Sequence, residues 1–571
     1  SRGGGVFSRT VKSIKISREM KNRFSIQEKS LTPNQLITAI LKTSADLLWN
    51  GGIGTYVKSR HESHLEVSDK ANDAIRINAN QLQCKVIGEG GNLGVTQLAR
   101  IEFCLLGGNC FSDFIDNAGG VNCSDAEVNI KILLNQLLEA GKLTPAGRTS
   151  LLRKMTDSVA AIVLDNNYRQ AQTINLMDYQ TDRRGSEYSE VLRSLEEQGQ
   201  LDRQLEFLPS EEEIQDRKTK GQSLTAPEIS VLTSYVKGII KEELSTSEIV
   251  DEPYICKEML VAFPEILVEK YRPELQSHRL RRELVATQIA NGMVNFMGMN
   301  FVRRLQESTG FSTENIARCF IGARDVFELG RVWDEICALD YLVDHRIQKE
   351  MMMDVTRLIR RVTRWLLRNR RRELVLEKEI PIFVKANRLL LADWENLLAG
   401  SELVNWQEKR ARLKAAGVPQ SLAGFAAAAH HLYSVMGVVE ASARTGQSMR
   451  RIAQIYFALG ETLQLNWFSR QLHEYQADTQ WQALARETLQ DDLSWQQVAL
   501  TLGVVAETRK SRSTDALINQ WLEERRTLVD RWLVLQAQMK SSDVLDPAVF
   551  TVGIRELLDL AQASRGAAQR F

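Results

Sequence analysis

The chain has 571 residues, which is too long for one hydrophobic core and favours about three to four domains. Hydrophobic residues make up 43% and charged residues 25% of the chain, as in ordinary soluble globular proteins. The 73 basic and 72 acidic side chains leave a formal net charge of +1. This balance argues against a bulk electrostatic partner such as nucleic acid or an anionic membrane.

Cysteine usage and the N-terminal stretch favour a cytoplasmic protein. The seven cysteines are scattered and form no C-x-x-C pair, which is typical of reduced thiols. The opening residues, SRGGGVFSRTVKSIKIS, lack the apolar core of a signal peptide, and without a starting methionine they do not look like a natural N-terminus. The best membrane candidate, residues 422–439, is mostly alanine and glycine and includes His430 and His431. We predict that it is a close-packed internal helix and that the chain has no membrane partner.

The first 120 residues alternate short apolar runs with helical patterns. In chain order we predict a helix over 33–43, a strand over 45–49, a glycine turn over 50–54, a helix over 69–82 capped by Ser68, a strand over 85–88, a helix over 95–106 and a strand over 110–116. Alternation of this kind implies a parallel sheet with right-handed crossovers. The sequence therefore predicts an α/β fold for this part.

From Ser124 onward the pattern becomes helical. Ser124 and Glu127 have the spacing of a capping box, and Gly141 is placed to end the helix that they begin. The Thr144-Pro145 pair is typical of the start of the next helix. Further helix starts are predicted at Thr225, Ser312 and Ser494.

One long helix is predicted over 280–306. Its apolar stripe repeats every four residues and consists of Val285, Ile289, Met293, Met297 and Phe301. A polar row with the same spacing, predicted to hydrogen-bond between packed helices, consists of Thr287, Asn291 and Asn295. The polar and charged stretch 180–221 is interpreted as a linker between the α/β part and an all-helical part.

Three glycine turns are the candidate ligand-binding elements of the α/β part. The turn GEGGNLG at 88–94 nearly matches the dinucleotide pattern G-x-G-x-x-G, but Leu93 stands where the last glycine belongs. Alone, this turn leaves nucleotide contact and a plain tight turn both open. Turns at 50–54 and 117–121 also follow predicted strands, and the carboxyl ends of parallel strands meet at one edge of a sheet. We therefore expect a ligand site at that edge, with bare backbone N–H groups and the Asn117 amide as contacts.

Two of these turns carry motifs that resemble glutamate dehydrogenases. The family pattern E-G-A-N appears at 89–92 as EGGN, with glycine in place of alanine, and the pattern N-A-G-G-V-x-x-S appears complete at 117–124. Longer stretches are similar to one branch, the large NAD-specific enzymes of bacteria. These stretches are SRGGGVFSR, DLLWNGGIGTYVKS, GEGGNLGVTQLARIEF, NAGGVNCSDAEVNIKILL and HRLRRELVATQIANGMVNFMGMNFVRRLQESTG.

The resemblance implies that NAD is the cofactor. The implied cofactor-binding residues are Asn50, Gly51, Gly52, Glu89, Gly90, Gly91, Asn92 and Asn117. Among them, Asn92 would contact the nicotinamide ribose or carboxamide, and the turn at 50–52 would line the nicotinamide pocket. Asn117 would contact nicotinamide or the amino-acid end of the substrate. The alternative is that Asn92 and Asn117 only satisfy the backbone of their turns.

The resemblance also implies L-glutamate and 2-oxoglutarate as substrate and product. The implied substrate-binding residues are Asn117, Gly119, Gly120, Val121 and Ser124. Val121 would pack on the substrate, and Ser124 would hydrogen-bond its side-chain carboxylate. Alternatively, Ser124 only caps its helix. The two roles can coexist, because a helix N-terminus favours an anion.

The implied fold is the second half of a partial Rossmann-like parallel sheet followed by a large all-α part. Residues 1–180 would form the C-terminal half of the NAD-binding catalytic domain. Residues 181–571 would form an all-helical domain, with a possible break between two subdomains near 375–400. A homo-oligomer is expected.

The family's catalytic chemistry is expected outside this chain. The lysine that activates water, the aspartate that moves protons and the pyrophosphate fingerprint precede the matched region in the family, and Lys12, Lys15 and Lys42 are not in a matching context. We therefore expect no catalytic residue here and no turnover by the chain alone. The N-terminal remainder of the enzyme is an expected partner, because half a sheet leaves a strand edge and an apolar face unpaired.

Two pairs of histidines could suggest metal sites but have simpler explanations. His61 and His64 have the spacing H-E-x-H, which does not place both imidazoles on one helix face, so we predict a solvated loop and no metal site there. The adjacent His430 and His431 would diverge on a helix and also predict no metal site.

An arginine run surrounds Trp365 and consists of Arg357, Arg360, Arg361, Arg364, Arg368, Arg370, Arg371 and Arg372. It is interpreted as a charged helix face that pairs with acidic neighbours, while binding of a phosphate-bearing ligand, an effector or RNA remains the alternative. Two rival functions are therefore kept beside the dehydrogenase: a non-catalytic helical module for oligomerisation or regulation, and a nucleic-acid-binding helical protein.

Overall fold

A computed structural model describes residues 2–370, 374–475, 479–506, 513–542 and 547–568. Most of these residues are helical. The chain divides into two compact units, Ser1–Arg303 and Arg304–Phe571. The predicted combination of a small parallel-sheet region with a large all-α region agrees with this composition, and the predicted domain limits at 180 and near 375–400 stay predictions.

The first unit contains six short strands. They are β1 (Ile14–Lys15), β2 (Ser30–Leu31), β3 (Ala45–Asn50), β4 (Val57–Lys58), β5 (Ile77–Asn78) and β6 (Cys84–Glu89). Within the described residues these strands form three two-stranded sheets. The pair β1–β2 is antiparallel, whereas β3–β6 and β4–β5 are parallel.

Helices make up the rest of the first unit. In chain order they are α1 (Arg18–Phe24), α2 (Pro33–Leu41), α3 (His64–Val67), α4 (Gln97–Leu105), α5 (Asp113–Asp116), α6 (Ala118–Glu139), α7 (Pro145–Tyr179), α8 (Thr181–Glu197), α9 (Glu211–Thr219), α10 (Ala226–Thr246), α11 (Glu265–Lys270), α12 (Arg272–Gln276) and α13 (Arg281–Met297). Short 3-10 helices occupy Lys70–Asn72, Ala79–Gln81, Glu248–Asp251 and Cys256–Ala262. The division between the units falls within α14 (Phe301–Thr309).

Side-chain caps set several predicted helix starts. Thr32 forms a capping box with Gln35 and begins α2, and the Thr96 hydroxyl accepts the Ala99 N–H and begins α4. Thr144 caps α7 with Pro145 in its first turn. The helices predicted over 33–43 and 95–106 and the strands predicted over 45–49 and 85–88 are therefore confirmed, with small shifts at their ends.

The helix predicted over 69–82 is wrong. Ser68 is not an N-cap but ends the short helix α3 in the left-handed region, with φ of 60°. Ile75, Ile77 and Ala79 in the following segment are at most 2% exposed, and Arg76 between the first two is also buried. Apolar side chains at every second position suit an extended chain that packs one face on a core, and Ile77–Asn78 of this segment forms β5.

The strand predicted over 110–116 is also wrong. A single parallel bridge, between Val86 and Asn109, pairs the residue just before this segment with β6. The chain then turns into α5, where the Asp113 carboxylate accepts the Phe114 N–H at 2.9 Å. Aspartate competes with a strand by such local hydrogen bonds. The sheet that carries the candidate site is accordingly small, and a full Rossmann-like arrangement is not present among the described residues.

A compact apolar cluster supports the parallel strands β3 and β6. Its buried members are Val57, Ile77, Ala79, Cys84, Ile87, Val95, Ala99, Phe103 and Cys110. Leu48 of β3 packs on the same cluster. One face of the two-stranded sheet is thus covered by β4, β5 and α4.

The stretch 180–221 is not a linker, since it forms α8 and α9. Tyr188 and Leu192 are at most 1% exposed. Arg203, 8% exposed, lies 2.7 Å from Glu196 and 3.1 Å from Glu211. Paired charges and a regular apolar face allow a polar sequence to fold as packed helices.

The long helix predicted over 280–306 is interrupted at Gly298, which has φ of 86° and ends α13. All five residues of its predicted apolar stripe are buried, although Phe301 belongs to α14. Two residues of the predicted polar row make hydrogen bonds other than the predicted side-chain bonds between helices. The Thr287 hydroxyl donates within its own helix, and the Asn295 backbone carbonyl accepts from Thr173 of α7 at 2.8 Å.

The second unit is helical throughout its described part. Its helices are α15 (Thr313–Val326), α16 (Leu329–Cys337), α17 (His345–Asn369), α18 (Leu376–Ala392), α19 (Trp394–Leu397), α20 (Gly400–Ala415), α21 (Gln420–Leu432), α22 (Ser434–Thr445), α23 (Met449–Thr462), α24 (Leu465–Glu474), α25 (Gln480–Ala506), α26 (Thr514–Glu524), α27 (Arg526–Lys540) and α28 (Pro547–Ala568). Ser312 caps α15 as predicted, and Thr225 caps α10 of the first unit. Ser494 lies inside α25, so the helix start predicted there is wrong.

The predicted internal helix over 422–439 is a bent pair, because α21 and α22 meet at an angle of 65°. Most of its side chains are buried in the unit. Within the described ranges no single helix has the length and hydropathy to cross a membrane, although this bent pair passes on length and composition taken together.

Gly298 provides a test of the break after α13. Its φ of 86° and ψ of 165° suit glycine alone, and a Cβ at this position would meet no atom closer than 3.6 Å. Gly298→Ala should therefore lower the free energy of unfolding by about 1–3 kcal/mol through backbone strain.

The control is Gly238→Ala in the middle of α10, where a Cβ meets nothing within 4 Å. That change should be neutral or stabilise by about 0.5–1 kcal/mol. Urea unfolding of both variants measures the difference, and equal effects would contradict the assignment of strain to Gly298.

Candidate functional site

The parallel pairing of β3 with β6 brings two of the glycine turns together. In the register of the pair, Trp49 lies opposite Gly88 and Asn50 lies opposite Glu89. The Gly90 N–H donates to the Asn50 carbonyl oxygen at 2.8 Å. The turn after Asn50 and the turn after Glu89 therefore start side by side at one sheet edge, as the sequence predicts.

The two turns approach so closely that glycine is required in them. A Cβ on Gly91 would lie 2.6 Å from the Gly52 carbonyl oxygen, and a Cβ on Gly94 would overlap the Asn50 side-chain amide. The first contact gives a physical reason for glycine at position 91, where the family pattern has alanine. The Asn50 amide nitrogen is buried and has no hydrogen-bond partner in the described part of the chain.

Trp49 covers the glycines on the open face of the sheet. A Cβ on Gly88 or on Gly90 would lie 2.7 Å from its indole ring. Trp49 itself is 60% exposed, and its neighbours on that face, Leu47 and Val86, are 54% and 39% exposed. We call Leu47, Trp49 and Val86 the open sheet face, since nothing in the described residues covers it.

The third glycine segment is the start of a helix rather than a turn after a strand. Asn117 is the N-cap residue of α6, which begins at Ala118, so Gly119 and Gly120 lie in its first turn. The Asn117 amide donates a hydrogen bond to the Asn92 side-chain oxygen. The two asparagines that the sequence singled out are thus in direct contact.

Ser124 lies inside α6 and does not cap it. The capping box predicted with Glu127 is therefore wrong, because the helix already begins six residues earlier. Positions 117, 121 and 124 recur on one helix face, with Ser124 about two turns, or about 10 Å, from Asn117. Val121 is 65% exposed, and a Cβ on Gly120 would meet nothing within 4 Å. This face of α6 is open along its length from Asn117 to Ser124.

A buried charge cluster lies behind the 89–94 turn. Arg100 of α4 is 3% exposed, and it donates through Nε to Glu89 at 2.6 Å and through Nη2 to Glu89 at 3.1 Å. The same Nη2 lies 3.2 Å from the Asp113 carboxylate. A bidentate arginine–carboxylate pair is among the stronger ionic hydrogen bonds in proteins.

The three carboxylates of this cluster, those of Glu89, Asp113 and Asp116, each accept a backbone N–H. Glu89 accepts from Val95 at 3.1 Å, Asp113 accepts from Leu93 at 2.7 Å, and Asp116 accepts from Glu89 at 2.9 Å. The expected bare amides of this turn are therefore partly occupied, since the N–H groups of Gly90 and Leu93 both have acceptors within the chain.

Burial is the largest influence on the pKa values of two carboxylates in the cluster, Glu89 and Asp116. Burial raises the pKa of Glu89, against the hydrogen bonds and charge of Arg100. Burial also raises the pKa of Asp116 to about 6, against the hydrogen bond from the Glu89 N–H. Sequence analysis missed Arg100, Asp113 and Asp116; the available signal was an arginine among apolar positions of the predicted helix 95–106.

Contacts from a distant segment hold α6 in place. His278 accepts the Leu280 N–H on Nδ1 at 3.1 Å, and its Nε2 lies 3.0 Å from the Asn129 carbonyl oxygen. This arrangement fits a neutral imidazole that donates from Nε2, and burial lowers the pKa of His278. Lys142, just beyond α6, pairs with Glu274 at 2.5 Å.

The histidine pairs are engaged by neighbouring side chains. His64 Nδ1 lies 2.9 Å from the Arg76 guanidinium, and His431 lies 3.3 Å from Glu402. Over the described ranges, no group of three or more histidine, cysteine, aspartate or glutamate side chains is arranged to hold a metal ion.

The arginine run of α17 pairs largely with acidic side chains. Arg364 contacts Glu487 and lies 3.4 Å from Asp491. Arg368 lies 3.1 Å from the same aspartate. Arg357 and Arg370 pair with Asp354 and Glu379 at 3.0 and 3.5 Å. The interpretation as a charged face with acidic neighbours is confirmed for these arginines, and Arg371 and Arg372 lie outside the described residues.

Comparison with known proteins agrees with this arrangement of motifs. Residues 1–177 match the family model described as bacterial NAD-glutamate dehydrogenase, catalytic domain, and residues 221–559 match the model described as glutamate dehydrogenase, C-terminal. Curated proteins named NAD-specific glutamate dehydrogenase are similar along 99% of this chain. Those of Pseudomonas aeruginosa, Halomonas elongata and Mycobacterium tuberculosis are 48%, 44% and 34% identical. The chain spans 35% of the length of each of these relatives.

Asp116 gives the site a pH-dependent contribution to stability. Its pKa is raised from 3.8 to about 6, so the fold favours the neutral acid. The stability from this group is fully present below pH 3.8 and is lost as pH rises through about 6.

Asparagine at position 116 stays neutral at every pH. The free energy of unfolding of Asp116→Asn should therefore be closest to that of the natural chain at pH 7 and above. The difference should grow by at most about 1.4 kcal/mol per pH unit as pH falls toward 4. Urea unfolding of both proteins from pH 4.5 to 7.5 measures it, and a difference that stays flat over this range would refute the assignment.

Proposed function

Because the chain belongs to the bacterial NAD-specific glutamate dehydrogenase family, we propose that it forms part of an enzyme that oxidises L-glutamate to 2-oxoglutarate and ammonia while reducing NAD. The single observation that carries this proposal is the contact between Asn92 and Asn117 at the carboxyl end of paired parallel strands. That edge is where ligands bind in open α/β folds.

The NAD end of the site lies between the two turns in this proposal. Asn92 contacts the nicotinamide ribose or carboxamide, with the turn of Glu89, Gly90 and Gly91 behind it. The turn at 50–52 lines the nicotinamide pocket. Support comes from the exposure of Asn92 and from the contact of the two turns. Bound NAD would supply the hydride acceptor.

The substrate end follows the open face of α6. Asn117 contacts nicotinamide or the amino-acid end of glutamate, Gly119 and Gly120 allow close approach, and Val121 packs on the substrate. Ser124 donates to the side-chain carboxylate. The exposure of Val121 and Ser124 on the Asn117 face supports this order.

The acid–base groups are proposed to lie in the remainder of the enzyme, so that the chain alone does not turn over glutamate. Hydride transfer needs cofactor, substrate and acid–base groups held in near-contact geometry. We also propose that this remainder covers the open sheet face, because a soluble domain seldom leaves contiguous apolar side chains bare at a strand edge.

The helical remainder has a separate role in this proposal. Residues 1–180 would supply half of the NAD-binding domain, and residues 181–571 would serve assembly into a homo-oligomer or regulation. The two family matches, which end at 177 and begin at 221, support a division in this region. The paired arginines of α17 favour this structural role over nucleic-acid binding.

Ser124 tests the substrate end of the site. In the full-length enzyme, Ser124→Ala should raise the KM for glutamate about tenfold to a hundredfold, since one hydrogen bond to a charged group contributes about 1.5–3 kcal/mol. The KM for NAD should stay within about twofold. Because Ser124 is inside α6, alanine there removes no helix cap.

Cys123→Ala is the matched control, since Cys123 is the exposed neighbour on a different face of α6. Steady-state kinetics with glutamate and NAD varied separately measures both constants. Equal KM values for glutamate in the two variants would remove Ser124 from the site.

Hydrogen exchange at the open sheet face can test whether the remainder of the enzyme covers it. Amide hydrogen exchange in β3 should be slower in the full-length enzyme than in this chain alone, because the proposed remainder would protect the strand. Exchange in α10 serves as the internal control and should not change. Equal protection of β3 in both proteins would show that the remainder leaves this face uncovered.

A further inference from the structure

The buried charge cluster of Glu89, Arg100, Asp113 and Asp116 connects by hydrogen bonds the two segments that carry the asparagines of the candidate site. Arg100 holds Glu89 with two donors and reaches Asp113 with one of them. Its remaining terminal nitrogen donates to the Gln97 side-chain oxygen at 3.2 Å. All of the polar contacts of this guanidinium are therefore directed to α4 itself or to the two carboxylates behind the turn.

The two carboxylates fix the turn at its strained residue, Leu93, and two residues after it. Glu89 accepts the Val95 N–H, and Asp113 accepts the Leu93 N–H. Leu93 has φ of 58°, in the left-handed region that a leucine seldom adopts. That conformation persists only where the surroundings impose it. Leu93 follows Asn92, so this hydrogen bond fixes the peptide group that joins the two residues.

The same cluster fixes the other asparagine. Asp113 and Asp116 are the first and last residues of α5, and Asn117 follows directly as the N-cap of α6. Asp113 contacts Arg100, and Asp116 accepts the Glu89 N–H. The short helix that grips the turn thus also carries Asn117, and the separation of Asn92 from Asn117 depends on it.

We propose that Arg100 is a positioning residue that sets the Asn92–Asn117 pair for the nicotinamide end of NAD. This inference rests on the proposed function and goes beyond it, since Arg100 is buried and reaches the turn through Glu89 and Asp113. A buried ionic cluster is weak evidence for stability, because burying charges costs several kcal/mol per ion. Here its hydrogen bonds are directed to the backbone of the turn that presents Asn92.

The test uses the full-length enzyme and Arg100→Lys, which keeps the charge and loses the bidentate geometry. The KM for NAD should rise at least about tenfold, whereas the KM for glutamate measured at saturating NAD should change by less than about threefold. Arg203→Lys is the matched control. Arg203 is 8% exposed and pairs with two glutamates, but it joins α8 to α9 and is far from the turns in sequence.

A double-mutant cycle with Asn92→Ala tests whether Arg100 acts through Asn92. In that case the double variant is no worse in KM for NAD than the more affected single variant. Additive effects, a KM for NAD in Arg100→Lys within about twofold of the natural enzyme, or an equal rise in Arg203→Lys each overturn the inference. If Asn92→Ala leaves the KM for NAD unchanged, the proposed role of Asn92 fails and the inference falls with it. If Asn92→Ala alone has the effect, the proposed function stands without the inference.

A second variant keeps the test decisive if Arg100→Lys does not fold. Asp113→Asn removes the carboxylate that links Arg100 to the Leu93 N–H and should also raise the KM for NAD several-fold. Its control is Asp202→Asn, whose carboxylate likewise accepts backbone N–H groups, from Gln204 and Leu205, but far from the turns in sequence. Equal KM values for NAD in these two variants overturn the inference.

Discussion

The register between β3 and β6 is the constraint on which the candidate site depends. Because the two parallel strands end together at Asn50 and Glu89, both glycine turns begin at the same edge. The backbones then come so close that a methyl group on Gly91 would strike the Gly52 carbonyl. Small residues at this edge are therefore a consequence of strand pairing, and the space that they leave is shaped by backbone rather than by side chains.

Buried charge, rather than apolar packing, ties the rest of the site to that edge. Glu89, Asp113 and Asp116 each accept a backbone N–H, and Arg100 compensates two of these carboxylates. Hydrogen bonds have direction, whereas apolar contacts do not, so a charged cluster can fix a turn that contains a left-handed leucine. The start of α6 is set by the same acids, and His278 holds that helix further along.

In the second unit, charged side chains pair between helices rather than with the backbone of a turn. Three arginines of its helix α17, Arg357, Arg364 and Arg368, lie next to acidic side chains, and the last two pair with residues of α25. The near-zero net charge of the whole chain is thus reflected in local pairing, and the basic run does not form a free cationic surface in the described residues. Within this unit, the same pairs allow a charged helix to be largely buried.

Local signals were sufficient for part of the fold and site. The cap Thr144, the strands β3 and β6, and the glycine turns at 50–54 and 88–94 could be predicted, because each depends on residues within a few positions. The family motifs also singled out Asn92 and Asn117, whose side chains are in contact in the structure. Only the tertiary structure decided that α6 begins at Ala118, that 69–82 holds the short strand β5 between two 3-10 helices, and that Arg100 meets Glu89 and Asp113. Such contacts join residues 11 or more positions apart, and pairing at that distance leaves no periodic trace in a single sequence.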